Sequence, residues 1–191
     1  MFILASTSPW RRDLLASAGL AFRVEAPSVD EGAISAPDGP RLALARARAK
    51  AREVVGRCPG EVVLGVDQVG WWEDDPAAPF GKPADLAHHR AMLRRHRSTP
   101  HWLGTALALE APDRPSEVLV RTRLVARPDV TDAELDAYAA SGEGRECAGG
   151  YRAEAQGSFL FGAIEGDWHN VVGLPLTALY DLLRRRGWRL Q

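Results

Sequence analysis

The sequence has little of what would assign a protein to the membrane or to a disulfide-rich class. Cysteine occurs only at Cys58 and Cys147, whose spacing fits neither a metal site nor a disulfide framework. No stretch approaches the roughly 18 consecutive apolar residues that span a bilayer, and no charged segment followed by a long apolar run opens the chain. We therefore expect a cytoplasmic protein that does not use a membrane.

The chain also lacks an excess of either charge, because its 24 lysines and arginines nearly balance its 25 acidic residues and the formal net charge is −1. Without a basic tract or a basic and aromatic stripe, a nucleic-acid polymer is not expected as a partner. Lysine itself is scarce and occurs only at Lys50 and Lys82. The 191 residues are enough for one full core, and no linker divides them, so we predict a single domain over 1–191.

The first informative segment is the apolar run 2–5 followed by Ser-Thr-Ser-Pro-Trp-Arg-Arg. The run predicts a buried strand, and Ser8 and Pro9 are typical of a helix start, with Ser8 as the capping hydroxyl. Hydroxyls, free backbone N–H groups and the guanidinium groups of Arg11 and Arg12 would then meet at one point and form a phosphate site. An ordinary capped helix with solvated arginines has equal weight at this stage.

The rest of the chain alternates between helical and strand patterns, which predicts an α/β fold with a mixed sheet. Helices are predicted over 41–55, 84–96, 131–140 and 175–186, and strands over 61–66, 101–109, 117–126 and 158–164. The acidic, proline-containing segment 71–80 is predicted to be a surface loop or hairpin, with Trp71 and Trp72 in a lid or a dimer contact. His88 and His89 are predicted to be exposed on their helix.

Asp67 follows a predicted buried strand, where a carboxylate can hold a divalent cation or activate a water molecule. A solvated strand end explains an isolated Asp equally well. Glu31, beside Asp30, reads by itself as part of a solvated loop, and Lys50 as a solvated residue on its helix. Lys82, between Gly81 and Pro83, could present its ammonium group to a phosphate or belong to a plain turn.

Taken together, these and other short segments form one ordered pattern. The segments are Leu4–Pro9 with Arg11, Arg12, Leu14 and Leu15, then Val29–Glu31, Ala49–Ala51, Gly65–Val69, Gly81–Pro83, Cys147–Tyr151 and Val172–Leu176. Through their order and spacing the chain resembles the Maf family of nucleoside triphosphate pyrophosphatases over essentially its full length.

This resemblance implies a mixed sheet flanked by helices, related to the inosine triphosphatases, with two lobes around a cleft. It also implies hydrolysis of a nucleoside triphosphate to pyrophosphate and a nucleoside monophosphate, dependent on a divalent metal, Mg²⁺ or Mn²⁺. A homodimer is a further expectation. A nucleotide-binding regulator of cell division without turnover is the alternative from another functional class.

The resemblance also assigns roles to residues of this sequence. Asp67 takes the position of the family's proton acceptor, and Ser8, Arg11 and Arg12 match the phosphate-handling signature. Glu31, Lys50 and Lys82 match the remaining charged positions of the cleft. Lys50 and Lys82 are therefore predicted to be catalytic with Asp67, and Glu31 and Asp67 to hold the metal. Which carboxylate binds metal and which accepts the proton stays open.

Three positions, Trp10, Gln68 and Glu154, resemble the branch of the family that hydrolyses 7-methyl-GTP rather than dTTP and UTP. Methylation at N7 makes guanine cationic, so an aromatic face and a carboxylate both suit it, and Trp offers the best cation–π surface. Glu154 could also accept from two guanine donors together. The alternatives are that Trp10 packs the first helix, that Glu154 is a surface acid, and that the substrate is dTTP or UTP.

Overall fold

The computed structural model describes residues 1–189; residues 190 and 191 of the predicted domain lie outside it. It contains strands β1 (Phe2–Ala5), β2 (Phe22–Glu25), β3 (Val63–Trp72), β4 (Asp75–Phe80), β5 (His101–Glu110), β6 (Ser116–Ala126) and β7 (Phe161–Glu165). The helices are α1 (Pro9–Ser17), α2 (Gly39–Arg57), α3 (Leu86–Ser98), α4 (Asp132–Ser141), α5 (Trp168–Val172) and α6 (Leu176–Arg184).

The strands form one seven-stranded sheet in the order β2-β1-β3-β5-β6-β7, with β4 also paired to β3. The pairs β1–β2 and β1–β3 are parallel, and all other pairs are antiparallel. The two parallel connections contain α1 and α2, as the long crossovers of parallel strands require. The prediction of a mixed sheet flanked by helices is confirmed.

Strand β3 has one fully paired edge and one interrupted edge. It pairs with β5 along its whole length. On the other edge it pairs with β1 through Val63–Gly65 and with β4 only from Gly70 onward. Within the described chain, residues 66–69 therefore have no strand partner on this side, over about 13 Å at the usual rise per residue. We call this interval, Val66–Val69, the edge gap.

Two hydrophobic clusters lie at opposite ends of the long strands. One joins α1 and α6 to the first half of β3, with Leu15, Leu179 and Leu64 fully buried. The other lies under α3 and α4, with Leu93 and Leu135 fully buried. The edge gap begins at Val66, which belongs to the first cluster.

Helix α2 covers the opposite face of the sheet at very close range. Its small side chains Ala47 and Ala51 pack against the strands, and a Cβ on Gly65 would overlap the backbone of both residues. Gly65 therefore permits an approach that no larger residue allows. The same approach brings Lys50, one turn along α2, to the face of β3 that carries Asp67.

Several predicted elements differ from the structure. Strand β3 does not end at Asp67 but continues to Trp72, and Trp71 and Trp72 are only 4% and 8% exposed, so their prediction as a surface lid or dimer contact was wrong. The β3–β4 hairpin folds back over α3, so that Trp72 packs on Phe80, with ring centroids 4.3 Å apart. His89 was predicted to be exposed and is buried, because its ring binds the backbone at Gly150.

The strand predicted over 158–164 begins only at Phe161, after a 3₁₀ turn over Gln156–Leu160. Strand β2 and helix α5 were not predicted. No helix within residues 1–189 is both long and apolar enough to cross a bilayer.

Candidate active site

Asp67 lies in the edge gap and binds Lys50 of α2. The Nζ atom of Lys50 is 2.6 Å from Oδ1 of Asp67 and 2.8 Å from Oε1 of Glu31, so one ammonium group joins two carboxylates. Lys50 is only 5% exposed, although its helix is rich in arginine. The interpretation of Lys50 as a solvated residue was therefore wrong, since this position faces the sheet.

The two carboxylates lie in different environments. Asp67 is buried, and its Oδ2 atom has no hydrogen-bond partner within the described residues. Burial raises the pKa of Asp67 above its ordinary value, against the opposing effect of the Lys50 and Arg11 charges. Burial acts on Glu31 in the same direction, but its bond to Lys50 and the charges of Arg46 and Arg11 hold its pKa below the ordinary value. Environments that separate two pKa values in this way are typical of acid–base sites.

Glu31 is held in place by its local turn. It begins a 3₁₀ turn over Glu31–Ala33, in which Asp30 accepts a hydrogen bond from the backbone of Gly32 at 3.0 Å. Arg46 of α2 donates to the backbone carbonyl of Glu31. The two neighbouring acids therefore have different roles: Asp30 stabilises the turn, and Glu31 forms an ion pair with Lys50.

Arg11 is partly buried and bound to other groups of the protein, and is not a solvated arginine. Its Nη1 donates to the carbonyl of Val66 at 2.9 Å and to the hydroxyl of Ser6 at 3.2 Å, and its Nε donates to the carbonyl of Gly173 at 3.1 Å. One guanidinium group therefore ties the start of α1 to the edge gap and to the loop after α5. Burial lowers the pKa of Arg11, and the charges of Asp67 and Glu31 oppose this effect.

The prediction of Ser8 as a capping side chain was wrong. Ser8 precedes α1 in extended conformation, but its side chain makes no capping hydrogen bond, and its N–H donates to the hydroxyl of Ser6 at 3.2 Å. Arg12 is largely exposed, with Nε 3.7 Å from Asp13. We call the segment Ser6–Arg12, which follows β1, the β1 wall of the gap.

The opposite side of the gap is formed by two loops, Gly81–Pro83 and Cys147–Glu154, which we call the β4 wall. Gly149 donates its N–H to the carbonyl of Gly81 at 3.0 Å, which joins the loops. The rings of His96 and His89 bind the carbonyls of Gly149 and Gly150 at 2.9 and 2.5 Å. The glycine-rich loop is thus fixed by α3.

Lys82 lies on this wall and is far more exposed than Lys50. Its side chain is 60% exposed, and its Nζ is 3.0 Å from Glu146 rather than bound to Asp67 or Glu31. The structure therefore brings Lys50, Asp67, Glu31 and Arg11 together and leaves Lys82 apart from them.

Trp10 and Glu154 are brought together by a residue that the sequence reasoning missed. The guanidinium carbon of Arg152 lies 4.4 Å from the ring centroid of Trp10, and its Nε is 3.0 Å from Oε1 of Glu154. The three residues form one cluster that connects the β1 wall to the β4 wall. No sequence signal marks Arg152, because it stands in a loop and its aromatic partner is 142 positions earlier.

Gln68 follows Asp67 on β3, so its side chain projects from the other face of the sheet. Its amide nitrogen donates to the carbonyl of Asn170 at 2.6 Å and to the hydroxyl of Thr105 at 3.1 Å. Asn170 in turn donates to Leu103 and Thr122. Gln68 thus belongs to a polar network that anchors α5, and its role toward a base stays a prediction.

The donor set for a metal ion is small. Within residues 1–189, no group of three or more His, Cys, Asp or Glu side chains is placed to hold one. Asp67 and Glu31 nevertheless offer carboxylate oxygens on either side of Lys50, and Oδ2 of Asp67 is without a partner there. This suits a hard cation such as Mg²⁺, which is commonly bound by one or two carboxylates together with substrate phosphates and water.

Comparison with known proteins assigns the chain to a family. A family model described as Maf-like protein matches residues 1–186. The chain is 39% identical to the dTTP/UTP pyrophosphatase of Thermus thermophilus, over 98% of this chain and 95% of that protein. It is 37% identical to the 7-methyl-GTP pyrophosphatase of Rhizobium johnstonii, over 97% and 96%. The Ham1 protein of Staphylococcus aureus gives a TM-score of 0.46 at 12% identity, over 66% of this chain and 72% of that one.

Proposed function

The chain belongs to the Maf family, and we propose that it hydrolyses a nucleoside triphosphate to the monophosphate and pyrophosphate. The observation that carries this proposal is Asp67, a buried carboxylate in the edge gap with one oxygen bound to Lys50 and the other without a described partner. A carboxylate with a raised pKa and a free oxygen is suited to accept a proton from water. Two relatives covering nearly the whole chain are named pyrophosphatases.

In this proposal, Oδ2 of Asp67 accepts the proton of the water molecule that attacks the α-phosphorus. Lys50 holds Oδ1 and fixes the carboxylate in one orientation. Arg11 holds the backbone at Val66, so the residue before Asp67 cannot shift. The start of α1, Arg12 and Lys82 offer positive charge to the departing pyrophosphate, as transfer of a phosphoryl group requires.

A divalent metal, Mg²⁺ or Mn²⁺, is part of the proposal, with Glu31 and Asp67 as its protein ligands. When bound, such an ion would polarise the phosphate oxygens and neutralise their charge. Glu31 suits the role of a permanent anion, because its pKa is held below the ordinary value. We propose that Asp67, whose pKa is raised by burial, is the carboxylate that exchanges a proton.

For the base we propose 7-methylguanine. The support is that the ring of Trp10 and the carboxylate of Glu154 already receive a cation together, that of Arg152. A cationic base offers the same chemistry to both groups. The second candidate is a dTTP/UTP pyrophosphatase, which the name of the Thermus thermophilus relative favours.

The test is pyrophosphate release from 7-methyl-GTP, GTP, UTP and dTTP, each with Mg²⁺, with Mn²⁺ and after exhaustive EDTA treatment. We expect turnover of 7-methyl-GTP to be fastest and to require metal. Faster turnover of UTP or dTTP would contradict the assignment of the base and leave the general reaction intact. Full activity after EDTA would contradict the metal. Nucleotide binding without turnover under any condition would favour a regulator instead of an enzyme.

A further inference from the structure

Arg152 joins the two walls of the edge gap. It extends from the β4 wall, and its guanidinium group lies on the ring of Trp10 in the β1 wall and on the carboxylate of Glu154. Both partners are ones that the proposed function gives to the base. The side chain of Arg152 is 31% exposed and that of Glu154 is 29% exposed, so the contact is sheltered but open to water.

The backbone of this segment is fixed, whereas the arginine side chain can move. The N–H of Arg152 donates to the hydroxyl of Tyr138 at 3.0 Å. The preceding residue, Tyr151, is buried, and its hydroxyl is 2.6 Å from the ring of His101. Displacing the guanidinium group therefore requires only rotation of side-chain bonds, with no change in the path of the loop.

A guanidinium group and a base cannot occupy the same aromatic face and the same carboxylate at once. We propose that Arg152 is the resident occupant of the base subsite and that it must leave when a nucleotide binds. This inference rests on the proposed function, because that function gives the subsite to a base. Arg152 then lowers the affinity for every nucleotide by the same factor. The contacts of Trp10 and Glu154 alone determine which base is preferred.

If Arg152 and a nucleotide base exclude each other from the subsite, the effect on affinity can be predicted. If only the fraction of molecules with Arg152 displaced can bind, every nucleotide loses affinity by the same factor. Removing the side chain should therefore tighten binding of all nucleotides equally and leave their ratios unchanged. A direct contact between Arg152 and the base would instead weaken binding, by an amount that differs between bases.

The test measures dissociation constants by calorimetry for 7-methyl-GTP, GTP, UTP and inorganic triphosphate. Arg152→Ala and Arg152→Gln are each made in an Asp67→Asn background, so that turnover does not consume the ligand. Inorganic triphosphate has no base and should not require Arg152 to leave. Arg145→Ala is the matched control, because Arg145 is an exposed arginine of the neighbouring loop.

We expect both Arg152 variants to bind every nucleotide about three- to tenfold more tightly, as a partly exposed ion pair and a cation–π contact allow. Binding of triphosphate and the Arg145→Ala control should not change. Weaker nucleotide binding, unchanged binding, an equal change for triphosphate, or no nucleotide binding at all would each overturn the inference. Wild-type protein that binds nucleotides but does not hydrolyse them would contradict the proposed function and leave this inference standing.

Discussion

The two walls of the edge gap are built in opposite ways. The β1 wall follows a strand whose four residues are all buried, and Arg11 ties it to β3 and to Gly173. One loop of the β4 wall follows a strand in which only one of six residues is buried, and its loops are joined to each other and to α3 rather than to β3. The two lysines of the chain show the same contrast: Lys50 is buried between two carboxylates, and Lys82 is exposed with one.

This difference indicates that the residues around Asp67 carry out the reaction, whereas the exposed loops of the β4 wall bind the substrate. Groups that must meet a reacting atom within a few tenths of an ångström need rigid support, which the residues around Asp67 have. Groups that attract and hold a polyphosphate can act from exposed loops. We therefore expect substitutions near Asp67 to lower kcat, and substitutions of the β4-wall residues proposed to bind substrate, Lys82 and Glu154, to raise KM. The following predictions test this division from the largest effect to the smallest.

The largest effect is expected for Asp67→Asn. The amide keeps the shape of the side chain but cannot accept the proton, and loss of a positioned base costs about 10²–10⁴-fold in rate. Pyrophosphate release by the purified variant measures the loss, with circular dichroism as the check on folding. Asp74→Asn, at an exposed acid of the β3–β4 hairpin, is the matched control and should retain full activity. A folded Asp67→Asn protein with more than about a tenth of the wild-type kcat would exclude Asp67 as the central base.

The same substitution at the two lysines tests the contrast directly. Lys50→Gln should lower kcat by about 10²–10³-fold, because Asp67 loses the contact that orients it and a positioned base contributes about 10²–10⁴-fold. It should also lower the free energy of unfolding by about 1–3 kcal/mol, because the buried Asp67 loses its partner. Lys82→Gln should raise KM and change the free energy of unfolding by less than about 1 kcal/mol, since its ion pair is exposed. Steady-state kinetics and urea unfolding measure both; an equal loss of kcat at the two sites would refute the division.

A smaller effect is expected at the base. Glu154→Gln places an amide donor opposite the donors of guanine, and an unpaired polar group of this kind costs about 1–3 kcal/mol, or roughly five- to 150-fold. Trp10→Ala should act in the same direction and affect 7-methyl-GTP more than GTP. The measurement is kcat/KM for 7-methyl-GTP relative to UTP, with the exposed Glu165→Gln as control. Equal losses for all nucleotides would show that the base does not lie between Trp10 and Glu154.

The smallest effect is a displacement of the acidic limb of the pH profile. Burial raises the pKa of Asp67 above its ordinary value, so kcat/KM should rise with pH, as the carboxylate ionises, through a midpoint higher than that of an exposed aspartate. Lys50 opposes this shift through its charge and hydrogen bond. The residual activity of Lys50→Gln should therefore show a midpoint at still higher pH. A midpoint that is unchanged or lower in the variant would assign the limb to another group.

The sequence predicted most elements but not the interruption that forms the site. Strand β3 was predicted to end at Asp67, after the β-branched run 61–66, because the acids and prolines of 71–80 indicated a surface loop or hairpin. Gly70 is instead inside the strand, where the ring of Phe80 occupies the space of a side chain. Gly104 leaves room for Trp71 in the same way, with its missing Cβ 2.6 Å from the ring. Such contacts join residues distant along the chain, so local pattern cannot predict them.

Other misses had local signals. Strand β2 alternates apolar and charged residues, and α5 begins after Asp167, whose side chain accepts from Asn170 at 3.0 Å, and ends at Gly173. Both elements are short, which is why their patterns were weak. The family motifs identified the charged residues around Asp67, whereas Arg152 became visible only when the loop was placed against Trp10.

The scarcity of lysine has a practical consequence at the bench. An amine-directed reagent meets two lysine side chains in this protein, and Lys50 is shielded by burial and by both of its carboxylates. Beside the terminal amine, acylation should therefore label Lys82 alone. A fluorophore or cross-linker attached there would report movement of the β4 wall without any engineered cysteine.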